Sequence, residues 1–105
     1  MDARTHDSEE TILRARVALP EHVVHREFPE ETIVLNLQTG HYHGLNPTAG
    51  RMLAALGDGP TVGAAIAPLA AELGQPAATI ERDVVELCRS LGERGLIELH
   101  EPTGA

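Results

Sequence analysis

The sequence predicts an α+β fold, a three-stranded antiparallel sheet followed by three helices, and three observations carry that expectation. The first half sets short β-branched and apolar runs at 22–27, 32–37 and 41–45 between turn residues, Phe28-Pro29-Glu30-Glu31 and Gln38-Thr39-Gly40. No connection between these runs is long enough for a crossover, so neighbouring strands must be antiparallel. The second half changes period: over 77–94, Ile80, Val84, Leu87 and Leu91 fall on one helical stripe. Strands first and helices after is the order of a winged helix-turn-helix-like domain.

Each element has its own local reason. Residues 1–15 are polar and charged without a sustained period and are expected to form a flexible tail, as are 101–105, leaving 16–100 as the folded domain. Val17-Ala18-Leu19-Pro20 is an extended segment stopped by proline. In 22–27, Val23 and His25 share one face, Val24 and Arg26 the other. Gln38-Thr39-Gly40 suits a type I turn closed by a bulge, because glycine takes the left-handed conformation at no cost. Asn46 is placed to cap a helix over 47–55, with Pro47 at its first position, where a missing N–H is no loss. Gly57-Asp58-Gly59-Pro60 ends that helix and Thr61 caps the next, 62–73, whose apolar positions are Val62, Ile66, Leu69 and Leu73. Pro68 lacks a donor and crowds the carbonyl of Ala64, which predicts a kink. Gly74-Gln75-Pro76 resets the chain, Gly95 stops the last helix, and Ile97-Glu98-Leu99 is a short terminal strand or an extended tail.

Composition narrows the function. A net charge of −8 and a pI near 5.1 repel nucleic-acid backbones and anionic membranes. A DNA-binding regulator of winged-helix type would want a basic recognition helix, but 77–94 carries Glu81, Asp83, Glu86 and Glu93 against Arg82, Arg89 and Arg94. No run approaches the about 18 apolar residues that span a bilayer, and the N-terminus lacks the apolar core of a signal peptide, so a cytoplasmic location is expected. One cysteine cannot form an internal disulfide. With aromatic content of 2%, the core must be aliphatic.

An edge strand with one unpaired side is a template for a further chain, and 41–45 closes the predicted sheet. Gly40-x-Tyr42-x-Gly44-Leu45-Asn46 before a short helix, Asp58-Gly59-Pro60-Thr61 between two helices, and IERDVVELCRSLGERGLIEL at the end resemble, in order and spacing, the PqqD-like family. These small domains, also called RiPP recognition elements, recognise leader peptides of ribosomally made, modified peptides. The resemblance covers 17–99. It implies a leader peptide lying beside strand 41–45 over a cleft against helix 77–94, and a non-enzymatic protein that presents a precursor to separate enzymes. A leader peptidase and cyclase of a lasso-peptide pathway are the partners expected; the alternative is a PqqD-type peptide chaperone for a radical-SAM enzyme in cofactor biosynthesis.

The implied contacts are His41, Tyr42, His43, Gly44 and Leu45 on the strand, and Asp83, Val84, Leu87, Cys88 and Leu91 on the helix. Periodicity alone does not divide these helix residues between cleft and core. Asp83, in Arg82-Asp83-Val84, is placed to meet a basic group or a free N–H of the peptide. The ring of Tyr42 is expected to be half-buried on the sheet. His41 and His43 point the same way, but with only His25 or Cys88 as a third ligand and no metal-binding spacing, neither a metal nor another cofactor is expected. Cys88 has no base at recognisable spacing and is expected to be a small buried hydrophobe, which leaves no nucleophile for catalysis.

Overall fold

The computed structural model describes residues 8–57 and 59–100. Its first element corrects the expectation of a flexible tail through residue 15: helix α1 spans Glu9–Arg14. The Ser8 Oγ accepts from the Thr11 N–H at 3.2 Å, which caps it. Ile12, fully buried in the core, holds the helix down. The rest of that tail, 1–7, and the tail 101–105 lie outside the described residues. Strand β1 (Arg16–Ala18) follows and pairs antiparallel with β5 (Glu98–His100), Val17 opposite Leu99, so the C-terminal segment is a strand.

The main sheet is β2 (Val23–Glu27), β3 (Thr32–Asn36) and β4 (Tyr42–Leu45), in that order and antiparallel throughout. Gly40 has φ 79°, its N–H donates to the Asn36 carbonyl, and the Asn36 N–H donates to the His41 carbonyl: a glycine bulge closes the hairpin. The Asn36 Oδ1 fixes the loop by accepting from the N–H groups of Gln38 and Thr39 at 2.8 and 3.2 Å. Val23, Val34 and Leu45 point inward to the helices, whereas Val24, Leu35 and Tyr42 form a cross-strand row on the opposite face.

Three helices cover the inner face. Asn46 and Thr61 cap α2 (Pro47–Leu56) and α3 (Val62–Leu73), each side-chain oxygen accepting a backbone N–H three residues on. The helix α3 runs through Pro68, and Gly74 ends it in the left-handed conformation. The longest helix, α4 (Ala77–Glu93), ends on Gly95 (φ 72°): the Leu96 N–H donates to the Leu91 carbonyl and the Gly95 N–H to that of Gly92. Gly50 lets α2 approach the sheet closely, since a Cβ there would lie 2.9 Å from the Cβ of buried Thr32. Arg51 on α2 forks onto Glu72 of α3, at 2.7 and 3.2 Å, and this pairing holds the Glu72 carboxyl below the usual range.

The core stripe of α4 is rotated from the one read in the sequence. Ile80, Val84, Val85, Cys88 and Leu91 are buried, while Leu87 is only half-buried. The helix α1 packs on both α3 and α4, and its Ile12 borders the same cavity as Cys88, which places Cys88 on a covered flank of α4.

Candidate functional site

The parity of the β3–β4 ladder decides what the open edge offers. The Asn36–His41 pair is hydrogen-bonded, and antiparallel ladders alternate bonded with non-bonded pairs, so Val34–His43 and Thr32–Leu45 are bonded too. The other side of β3 agrees: Leu37 donates to the His22 carbonyl and Phe28 to that of Glu31, which gives the odd-numbered positions of β3 to β2. Hence His43 spends its N–H and C=O on β3. Tyr42 and Gly44 turn theirs outward, away from the sheet, where β4 has no neighbouring strand.

Two cavities, one past each end of β4, together outline a groove between that strand and α4. One, of about 310 Å³, lies between the start of α2, at Asn46, Ala49 and Met52, and the middle of α4, at Asp83, Glu86 and Leu87. The other, of about 270 Å³, lies between the start of β4, at His41, Tyr42 and His43, and the end of α4, at Arg94 and Leu96. From Tyr42 to Asn46 the chain covers roughly 13 Å at about 3.3 Å per residue, and from Asp83 to Arg94 about 16 Å at 1.5 Å per residue. The two walls therefore match in length and run antiparallel. The groove is charged at both ends: Asp83 and Glu86 at one, Arg94 with two imidazoles at the other.

The residues singled out in the sequence divide accordingly. His41, Tyr42, His43, Leu87 and Asp83 line the two cavities, and Gly44 supplies outward backbone groups between them. Leu45 is buried beneath the strand. Val84, Cys88 and Leu91 are at most 1% exposed, so they are core rather than the open wall of the groove, and Cys88 borders a separate cavity beside Ile12, Ile97 and Leu99. Burial pushes the Cys88 thiol up to about 12. Tyr42 departs from the half-buried ring expected, being 72% exposed on the outer face of an edge strand. Asp83 is partly exposed, with Arg82 beside it at 3.7 Å. Sequence reasoning missed Asn46, Ala49, Met52, Glu86, Arg94 and Leu96 as groove residues. For Arg94 a signal existed, since it is the last residue before the glycine that ends the helix facing the strand. Among the described residues, no group of three His, Cys, Asp or Glu is placed to hold a metal ion.

The sequence profile of the family described as coenzyme PQQ synthesis protein D (PqqD) matches residues 31–97, more than half of the chain. The chain belongs to the PqqD family. The matched span runs from the turn before β3 to Ile97 and takes in α3 as well as β4, α2 and α4, the elements that line the groove of this PqqD-family member. Among solved structures it is similar to TbiB1 in complex with the TbiA(beta) leader peptide, with 30% identity and a TM-score of 0.70 over 77% of this chain and 94% of that one. It is also similar to a lasso peptide synthetase B1 complexed with the leader peptide, with 26% identity and a TM-score of 0.67 over 80% and 99% of the two chains. No curated protein matches it in sequence.

Proposed function

We propose that this PqqD-family protein binds the leader region of a ribosomally made precursor peptide as an added strand on β4, against α4, and presents it to separate modifying enzymes. The observation that carries this reading is the pair of outward-facing backbone groups, Tyr42 and Gly44, on an edge that borders a groove about four residues long. The half-buried Leu87 and the Ala49 beside it give the leader an apolar seat, and Asp83 is placed to accept from a basic side chain or a free N–H of the leader. His41, Tyr42 and His43 flank it on the strand, with Val84, Cys88 and Leu91 as rigid backing.

The enzymes served are a leader peptidase and a cyclase of a lasso-peptide pathway, a choice supported by the similarity to a lasso peptide synthetase B1 complexed with the leader peptide. Service to a radical-SAM enzyme in cofactor biosynthesis is the second reading, favoured by the family's description. The protein holds the peptide without altering it, in the cytoplasm. Among the described residues, no helix is long and apolar enough to cross a membrane.

Fluorescence anisotropy tests the binding. The labelled leader of the precursor encoded beside this protein is expected to bind at micromolar or tighter Kd, about −8 kcal/mol or better, and random duplex DNA not at all. Salt-sensitive DNA binding without leader binding would sink the reading. Mass spectrometry of precursor incubated with the protein alone is expected to show no product; in the presence of the peptidase, cleavage is expected to depend on this protein.

A further inference from the structure

We infer that Arg94 anchors a carboxylate side chain of the bound leader and so fixes the register in which the leader pairs with β4. The inference rests on the peptide site proposed above and deepens it.

Backbone pairing by itself does not set register. The ladder repeats every two residues, so a strand that slips by two keeps its bonds to Tyr42 and Gly44 while exchanging every side chain for the next on the same face. A groove that selects one segment of a leader needs a side-chain stop, and the cavity of about 270 Å³ at the head of β4 has the chemistry for one. Arg94 lies at the C-cap of α4, where its guanidinium also complements the partial negative charge of the helix end. Among the described residues it has no ion-pair partner, unlike Arg51 with Glu72 or Arg82 with Asp83. The opposite wall is already set. Asn36 Oδ1 is held by two backbone N–H groups and the Thr39 Oγ1 by the His41 N–H at 3.1 Å. That leaves the Asn36 amide N–H groups and the imidazoles of His41 and His43 to donate beside the guanidinium. Such a fork of donors matches a carboxylate.

The remainder of the molecule sharpens the choice. On a chain of net charge −8, acidic side chains are disfavoured almost everywhere, and the other end of the same groove carries Asp83 and Glu86. A leader placed with its acid at Arg94 gains an ion pair; slipped toward the α2 end, the same acid meets two carboxylates.

Selection from a displayed library of random dodecapeptides tests this, using the full-length protein, Arg94→Glu and Arg94→Gln, each checked for fold by circular dichroism. Peptides selected on the parent are expected to share Asp or Glu at one position. Selection on Arg94→Glu is expected to replace it with Lys or Arg and to leave the other preferred positions unchanged. A synthetic parent-selected peptide should lose about fivefold in affinity on Arg94→Gln, the upper end for an ion pair made by an exposed arginine. It should lose more on Arg94→Glu and recover when its own acid is changed to Lys. Selected peptides with no fixed acid, or affinities unchanged within about twofold in both variants, overturn the role of Arg94 while leaving the leader site standing. Failure of the folded parent to enrich any peptide family overturns both.

Discussion

If the leader adds to β4 as a strand, proline at alternate positions should split binding from stability. Tyr42→Pro and Gly44→Pro each delete an N–H that faces away from the sheet and leave the β3–β4 bonds of His43 and Leu45 in place. The peptide carbonyl opposite then loses its donor on binding, which costs about 1–3 kcal/mol, or roughly 5- to 150-fold in Kd. His43→Pro deletes the N–H that bonds Val34 in the middle of the hairpin, so it acts on the fold, by about 1–3 kcal/mol for the carbonyl left unpaired. A Cβ at position 44 meets the end of the flexible Glu31 side chain at 2.9 Å and is otherwise in ordinary contact with Ile33. Tyr42→Ala and His43→Ala keep the backbone and are expected to weaken binding mildly. Anisotropy against the labelled leader, paired with thermal unfolding of every variant, separates the two effects. Folded proline variants at 42 and 44 that bind as tightly as the parent would refute strand addition at this edge, and a stable His43→Pro would refute the ladder parity on which the argument stands.

Three further outcomes follow from the packing. Gly50→Ala puts a Cβ into Thr32; overpacking of up to about 3 kcal/mol less about 1 kcal/mol of helix propensity predicts a net loss near 2 kcal/mol, a Tm lower by roughly 10 °C, partly restored by Thr32→Ala. Ile12→Ala should cost about 2–5 kcal/mol in chemical denaturation, as for any fully buried aliphatic, whereas a loosely held segment would give a change near zero. With its thiol buried and raised to about 12, Cys88 should resist iodoacetamide at pH 8 in the native protein and react at once in guanidinium; rapid native labelling would contradict its place in the core.

What could be read from the sequence was whatever local chemistry decides. Asn46-Pro47, Thr61, Gly40 and Gly95 each satisfy a backbone need within a few residues, and all four stand where they were expected. The helix α1 was not legible because it has six residues and one deeply buried side chain; what holds it is Ile12 in the core and its packing on α3 and α4, contacts no local pattern records. The stripe was misread because periodicity gives the angular position of Leu87 and Cys88 but not which flank of α4 acquires a neighbour. The parity of the edge is a different case. A glycine bulge at Gly40 makes His41 a bonded position and hence turns His43 inward, so the outward pair Tyr42 and Gly44 followed from the hairpin; the partner did not, since the loop is one residue longer than the sequence suggests and Asn36 rather than Leu37 stands opposite His41.

The β1–β5 pair has a mechanical consequence. Arg16 at the start of β1 lies opposite His100 at the end of β5, so both strands leave this small sheet at the same end. Tension applied between the two ends of the chain would load its hydrogen bonds one after another, as in a zipper, rather than all at once. The pair therefore resists pulling weakly. Once it parts, Ile97 and Leu96 are the next side chains drawn from the core, from beneath the end of α4 that carries Arg94. An unfolding machine that grips the C-terminal end would thus strip one wall of the groove before it disturbs β2, β3 or β4, and a bound strand would lose its support at the head of β4 first.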